Sequence, residues 1–216
     1  GEITYTTQEN NQMEIFLKNI KTGKVLNLTN LPSEDYWPSW SPTGELMALS
    51  STRKGNFDVY IFDISQETLT NITNNPADDG WPSWSADGKW IAFASDREGN
   101  YDIYVMKPDG SGVRNVTNNS LENGTPSWAP DNNRIVFSSN RTGDWEIFII
   151  NVDGAIVTDE NFANILVDIA VLRSLSIRVL TSKGCWLSGN DTPSWISASI
   201  SRSRVNGVPA TLGPRY

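Results

Sequence analysis

The chain has 216 residues, of which 38% are hydrophobic and 19% are charged, and its formal net charge is −8. One cysteine, Cys185, and no histidine exclude an internal disulfide, a cysteine-based zinc site, a Ser-His-Asp triad and histidine-ligated metals. The acidic balance argues against nonspecific nucleic-acid binding, and no run approaches the ~20 apolar residues of a membrane span.

The predicted elements repeat along the chain with a period of 44 residues. Three independent markers share this register: Pro-Ser-Trp, an acidic-aliphatic-aromatic triplet, and Asn-x-Thr. They begin at Pro38, Pro82 and Pro126; at Glu14, Asp58, Asp102 and Glu146; and at Asn27, Asn71 and Asn115. A period in the forties, with short strands, turn signals and no helical periodicity, predicts an all-β propeller built from four-stranded blades.

The two ends of the chain depart from the regular unit. The segment starting at Ile3 aligns with the second strand of a later unit, so the first blade is expected to lack its opening strand. A fourth Pro-Ser-Trp, at Pro193, follows the third by 67 residues instead of 44. We therefore expect an insertion near 159–185, where apolar residues have helical spacing. These residues are Phe162, Ile165, Leu166, Ile169 and Leu172.

One domain is predicted, with blades in 1–158, an insertion in 159–190, and a closing strand with a divergent tail in 191–216. The insertion would pack on the side of the propeller as a helix or a strand pair, or it would form a helix that docks a partner. Two blade counts fit the markers. The chain forms a small ring of four to five blades closed by its last strand, or it is a fragment of a six- or seven-bladed ring.

The unit "PSWSADGKWIAFASDREGNYDIYVMKPDGSGVRNVT" resembles the WD40-like repeat of the TolB C-terminal propeller, the PD40 repeat. The resemblance covers residues 1 to about 158 and returns only at 192–195. It implies a β-propeller and leaves the function open, because the family includes periplasmic TolB, protease-associated propellers, surface proteins and some polysaccharide lyases. It also implies a bacterial protein of the periplasm or the cell surface.

The loops that lead into the Pro-Ser-Trp strands are acidic. In a propeller, these loops lie at one mouth of the central channel, so repetition predicts a ring of polar oxygens there. The ring consists of Glu34, Asp35, Asp78, Asp79, Glu122, Asn123 and Asp191. It suits Ca²⁺, with Asp35 and Asp79 as candidate ligands, or a peptide that carries Lys or Arg. Alternatively, these residue types simply form turns.

Additional aromatic residues precede two of the prolines, at Tyr36, Trp37 and Trp81. At a channel mouth they would stack on a sugar or on a peptide side chain, and otherwise they pack in the core.

Other recurring side chains are predicted to be structural. Arginines lie five residues before the acidic residue of each triplet, so each Arg-carboxylate pair is expected to span one hairpin turn. The pairs are Arg53 with Asp58, Arg97 with Asp102, and Arg141 with Glu146. The recurring tryptophans are Trp40, Trp84, Trp128 and Trp195.

The sequence therefore predicts a non-enzymatic binding scaffold outside the cytoplasm. A protein or peptide is the expected partner, with carbohydrate as a second ligand class and no cofactor besides the candidate Ca²⁺. A propeller lyase or hydrolase acting on polysaccharide is the first alternative, although no pair of carboxylates stands out for catalysis. A structural repeat within a larger surface protein is the second.

Overall fold

The computed structural model describes residues 1–153, which form fourteen β-strands and no helix. The strands are β1 Glu2–Glu9, β2 Gln12–Asn19, β3 Val25–Asn27, β4 Asp35–Trp40, β5 Leu46–Ser51, β6 Asp58–Asp63, β7 Thr68–Asn71, β8 Asp79–Trp84, β9 Ile91–Ser95, β10 Asp102–Met106, β11 Arg114–Asn115, β12 Asn123–Trp128, β13 Arg134–Ser139 and β14 Glu146–Asn151. The predicted insertion near 159–185, Asp191 and Trp195 lie outside the described residues. Within 1–153, no segment has the length and apolarity of a membrane-spanning helix.

The strands form four antiparallel sheets in chain order, and each sheet is one blade. Sheets 2 and 3 have four strands each, β4–β7 and β8–β11. Sheet 1 contains β1–β3 and begins at the position of the second strand, as the alignment of the N-terminal residues predicts. Sheet 4 contains β12–β14 within the described residues. The four sheets are a fragment of a propeller.

The inner strands of sheets 2, 3 and 4 each contain a β-bulge next to the proline. In sheet 2, Tyr36 pairs with Ser50 and Ser39 with Ala48, so Trp37 and Pro38 together face one residue of β5. The bulge tolerates proline because the extra residue leaves the ladder locally unpaired. It also places the preceding residue in the left-handed region, with φ of 54° at Trp37, 53° at Trp81 and 48° at Thr125. A bulky residue rarely adopts this conformation.

Apolar side chains fill the space between successive sheets. The Pro-Ser-Trp tryptophans lie in these layers, and Trp128 is 1% exposed. The indole of Trp40 donates from Nε1 to the Thr4 Oγ1 of sheet 1, at 3.0 Å. The residue that stands two periods after Thr4 is the buried Ala92, which has no hydroxyl. Accordingly, the Trp128 Nε1 has no hydrogen-bond acceptor among the described residues.

The Asn-x-Thr motif closes each complete blade by side-chain hydrogen bonds. In sheet 2, Asn71 Nδ2 donates to Asp58 Oδ2 at 2.8 Å, and Thr73 Oγ1 donates to Asp58 Oδ1 at 3.0 Å. Asn71 Oδ1 accepts the backbone N–H of Thr73 at 3.1 Å. The same contacts recur in sheet 3, one period later. The motif therefore recurs because it joins the third strand to the end of the fourth.

Candidate functional site

One end of the blades brings the predicted site residues together. We call it the upper face: the end at which β4, β8 and β12 begin and which the 52–57 and 96–101 hairpins border. In a propeller, the inner strands line the central channel, so this face contains one channel mouth. The predicted ring residues within 1–153 all lie here, but they fall into two groups with different surroundings.

The first group consists of the second residue of each acidic pair, and these side chains are fully buried. Asp35 and Asp79 are 0% exposed, and each accepts a hydrogen bond from an arginine of its own blade. The Arg53 Nη2–Asp35 Oδ1 distance and the Arg97 Nη2–Asp79 Oδ1 distance are both 2.9 Å. Burial raises the pKa of the Asp79 carboxyl, and hydrogen bonds from Ser95 and Arg97 oppose this effect. These carboxylates thus lie inside the blades, where each binds an arginine of the same blade; their role is structural, and it goes beyond the formation of a turn.

Sheet 4 keeps this arrangement with an amide in place of the carboxylate. The side chain of Asn123 is buried, and its Oδ1 accepts from Arg141 Nη2 at 3.1 Å. Its Nδ2 donates to Asp102 Oδ1 of sheet 3 at 3.0 Å. Asn123 therefore links two neighbouring blades.

The predicted Arg-carboxylate pairs across the hairpins are wrong. Each arginine contacts the polar residue 18 positions earlier, on the inner strand, and not the triplet residue five positions later. The guanidinium also stacks on an aromatic ring of the triplet, at 4.6 Å between Arg97 Cζ and the Tyr104 centroid. The triplet carboxylates have other donors: Asp58 accepts from Asn71 and Thr73, and Glu146 accepts from Thr142. The reason is geometric, because the arginine lies along the sheet surface toward the inner strand.

The second group consists of the first residue of each pair, Glu34, Asp78 and Glu122, which are half-buried at the rim of the upper face. Each accepts a backbone N–H from the preceding blade. The donors are Met13 at 3.1 Å to Glu34 Oε2, Phe57 at 2.9 Å to Asp78 Oδ1, and Tyr101 at 3.2 Å to Glu122 Oε2. The second oxygen of each carboxylate has no hydrogen-bond donor within residues 1–153. The rim therefore presents three carboxylate oxygens, one each from sheets 2, 3 and 4.

Aromatic rings form a row along the same face. Trp37 and Trp81 contact each other with 4.5 Å between their ring centroids and 32° between their planes, although they belong to neighbouring blades. Each also packs on an aromatic residue of its own blade, with 5.7 Å between Trp37 and Phe57 and 5.5 Å between Trp81 and Tyr101. Tyr36 extends the row, 5.0 Å from Trp37, and its hydroxyl donates to Glu34 Oε2 at 3.1 Å. The predicted aromatics are thus half-buried and in mutual contact.

A cavity of about 250 Å³ opens beside this row, between sheets 2 and 3. Its lining residues are Trp37, Phe57, Asp78, Gly80, Trp81 and Tyr101. Phe57 and Tyr101 were not among the predicted site residues. A signal was present in the sequence, because both precede the acidic residue of the triplet and are one period apart.

The electrostatic potential at this cavity is negative. The pKa of the Tyr101 hydroxyl is raised to about 12, first by burial and then by the nearby charges of Asp78, Asp96 and Glu122. Negative neighbours disfavour the tyrosinate and favour a cation at the same place. The cavity can therefore accept a positively charged group between aromatic surfaces.

The predicted Ca²⁺ contact gains no support from the geometry. Asp35 and Asp79 already face guanidinium groups, which occupy the position that a cation would take. Within residues 1–153, no three Asp, Glu or Cys side chains converge on a common point suited to a metal ion.

Comparisons with known proteins agree with this architecture. The sequence model of the TolB beta propeller domain matches residues 1–124. No curated protein sequence matches the chain. A protein assigned as TolB from Agrobacterium tumefaciens is structurally similar, with 28% identity and a TM-score of 0.67, over 73% of this chain and 60% of that one.

Two further solved structures show the fold alone. TolB from Acinetobacter baumannii has 24% identity and a TM-score of 0.62, over 71% of this chain and 38% of its own. A puromycin hydrolase has 13% identity and a TM-score of 0.60, over 73% of this chain and 26% of its own. The chain thus spans 60% and 38% of the two TolB structures. Since the family model covers more than half of the 216 residues, the chain belongs to the TolB beta-propeller family.

Proposed function

We propose that this chain is a non-enzymatic binding scaffold that engages a protein or peptide segment on its upper face. The observation that supports the proposal is the cavity between sheets 2 and 3, where four aromatic side chains and one carboxylate converge. Tryptophan and tyrosine are enriched among the residues that contribute most to binding energy at protein interfaces, and these side chains are only half-buried in the free chain. The rim carboxylates of Glu34, Asp78 and Glu122 favour a partner with positive charge.

The strained conformation of the two tryptophans supports the same interpretation. Trp37 and Trp81 adopt φ values of 54° and 53°, which disfavour a bulky side chain. Strained residues persist only where the surrounding structure holds them, and they cluster at active sites and ligand sites. At this end of the bulged strands, the two indoles contact each other across sheets 2 and 3, and Trp81 also packs against the core between sheets 3 and 4. A location in the periplasm or at the cell surface belongs to this proposal.

A catalytic role is the competing candidate, because one protein of similar fold is a hydrolase. The likeness is at 13% identity and concerns the fold alone. With no histidine in its sequence, this chain cannot supply a Ser-His-Asp triad by itself. Carbohydrate stacked on the aromatic row is the other ligand class that the site can accommodate.

The test is a selection from a random peptide library against the immobilised chain, followed by calorimetry of the selected peptides. We expect one-to-one binding that weakens at least 10-fold in Trp81→Leu. The comparison variant Val113→Ala truncates an exposed side chain of the β10–β11 hairpin and should bind as the wild type does. No selected peptide, or equal binding by Trp81→Leu, would refute the proposal. Mass spectrometry of the incubated peptides distinguishes binding from cleavage.

A further inference from the structure

We infer that the cavity between sheets 2 and 3 is a specificity pocket for a single arginine side chain of the bound segment. The inference rests on the proposed function and names the ligand chemistry at the same site. It comes from the lining of the cavity, from the hydrogen-bonding capacity that its carboxylate leaves free, and from the way in which the chain binds its own arginines.

The walls of the pocket are aromatic. Trp37 and Phe57 come from sheet 2, and Trp81 and Tyr101 come from sheet 3. The rings are tilted against each other, at 47° between Trp37 and Phe57 and 79° between Trp81 and Tyr101, so the pocket presents ring faces in more than one direction. A planar cation placed on such faces is stabilised by the ring quadrupoles, most strongly on tryptophan.

The pocket contains a negative group. Among the residues that the structure describes, Asp78 is the only charged one in its lining. Asp78 Oδ1 accepts the N–H of Phe57 at 2.9 Å, which fixes the orientation of the carboxylate. Asp78 Oδ2 has no donor within the described part of the chain, and neither does the Tyr101 hydroxyl. A ligand with several N–H donors would satisfy both oxygen atoms.

A guanidinium fits these groups better than other organic cations do. A quaternary ammonium would gain the aromatic contacts but has no N–H to donate to Asp78 Oδ2. A lysine ammonium has donors, but it is strongly hydrated and does not stack on a ring. Guanidinium is planar, weakly hydrated and always charged, so it can stack on indole while donating to a carboxylate.

The chain already uses this combination within its own blades. Arg97 lies over the Tyr104 ring at 4.6 Å and donates to Asp79 Oδ1 at 2.9 Å. Arg53 makes the same pair of contacts, with Tyr60 at 5.0 Å and Asp35 at 2.9 Å. The pocket at Asp78 offers an aromatic surface and a carboxylate of the same kind, but no arginine among residues 1–153 lines it.

The experiment measures binding of blocked tripeptides to the full chain by quenching of tryptophan fluorescence. The probes are acetyl-Gly-Arg-Gly-amide, its lysine analogue and its neutral citrulline analogue, with tetramethylammonium chloride as a fourth ligand. We expect saturable binding of the arginine peptide, with at least 10-fold weaker binding of the citrulline peptide and about 3-fold weaker binding of the lysine peptide.

Asp78→Asn is the decisive variant, because the amide oxygen can still accept the Phe57 N–H while the charge is lost. It should weaken the arginine peptide at least 10-fold and leave the citrulline peptide within about 2-fold. Glu45→Gln is the matched control, since it removes one exposed negative charge from the β4–β5 hairpin at the opposite end of sheet 2. Its affinity for arginine should stay within about 2-fold of wild type.

Three results overturn the inference: equal binding of the arginine and citrulline peptides, equal losses in Asp78→Asn and Glu45→Gln, or tetramethylammonium binding as tightly as arginine. The proposed function fails separately. If library peptides bind and depend on Trp81 but show no preference for arginine, only the pocket assignment is wrong. If the arginine tripeptide binds at Asp78 but the library yields no peptide that binds, the pocket assignment stands and the proposed function is wrong.

Discussion

Replacement of Asp79 is expected to reduce the stability of the fold and not the affinity of the upper face for a ligand. The carboxylate is fully buried, accepts from Arg97 Nη2 at 2.9 Å, and accepts from Asn75 Nδ2 at 2.7 Å. In Asp79→Ala, both donors lose their acceptor inside the blade. In Asp79→Asn, the amide oxygen can still accept from Arg97, as Asn123 accepts from Arg141 one period later.

The magnitude follows from the exposure of the two partners. Removal of one partner of a fully buried ion pair costs about 3–5 kcal/mol. The Arg97 side chain is 23% exposed and keeps the hydrogen bond from Nε to Ser95 Oγ, so part of its charge remains solvated. We therefore expect Asp79→Ala to lower the free energy of unfolding by about 2–3 kcal/mol. Asp79→Asn should lower it by about 1 kcal/mol, the value of one neutral hydrogen bond.

The assay is equilibrium unfolding of the full chain in urea, followed by tryptophan fluorescence and by circular dichroism. The two probes must give coincident transitions before the free energies are compared. We expect the order wild type, Asp79→Asn, Asp79→Ala, with binding of selected peptides by Asp79→Asn within about 2-fold of wild type. If Asp79→Ala is as stable as the wild type but no longer binds peptide, Asp79 is a binding residue and the reasoning is wrong.

Two further predictions concern single residues. Gly110 and Gly112 have φ values of 81° and 68° in one turn, but only at Gly110 would a methyl group overlap the Ile72 carbonyl oxygen. In urea unfolding, Gly112→Ala should lower the free energy of unfolding by about 1 kcal/mol, and Gly110→Ala should lower it by about 1–3 kcal/mol more. Equal losses of stability in the two variants would contradict this packing. In a spectrophotometric titration, Tyr101→Phe should remove a tyrosinate transition near pH 12, because burial and neighbouring carboxylates raise the pKa of this hydroxyl. If Tyr101→Phe instead removes a tyrosinate transition near pH 10, while the near-ultraviolet circular dichroism is still native, the site lacks the negative potential.

The repeat register was sufficient to predict the blades because each marker has a local structural cause. Proline in Pro-Ser-Trp marks the bulge of an inner strand, since it cannot donate to the ladder. Asn-x-Thr marks the end of a fourth strand, since Asn71 and Thr73 cap the carboxylate of Asp58. These relations lie within one unit, so spacing along the sequence is enough to reveal them.

The arginine contacts could not be predicted in the same way because two acidic residues lie within reach. Arg53 is separated from Asp58 by one hairpin turn and from Asp35 by two strands. Sequence distance favours Asp58, but the sheet places Asp35 directly below the guanidinium, and Asn71 and Thr73 already satisfy Asp58. Pairing across a sheet depends on register and side-chain direction, which the motif spacing does not contain.

The same limit explains why part of the site was predicted and part was missed. Trp37 and Trp81 are conspicuous because each interrupts an acidic loop just before a proline. Phe57 and Tyr101 directly precede the acidic-aliphatic-aromatic triplet and so resemble ordinary strand residues. They join the cavity only because the 52–57 and 96–101 hairpins lie on the upper face, beside the start of the inner strands.

Departures from the repeat determine where a single pocket can form. In sheet 4, Thr125 stands where the earlier blades have Trp37 and Trp81, and its hydroxyl contacts Ser138 Oγ at 2.9 Å. With no tryptophan to cover it, Trp145 is 48% exposed, although it occupies the position of Phe57 and Tyr101. Within the described residues, the pair of contacting tryptophans therefore exists only between sheets 2 and 3. Among the blades of residues 1–153, a ligand that needs both tryptophans is thus restricted to this one boundary.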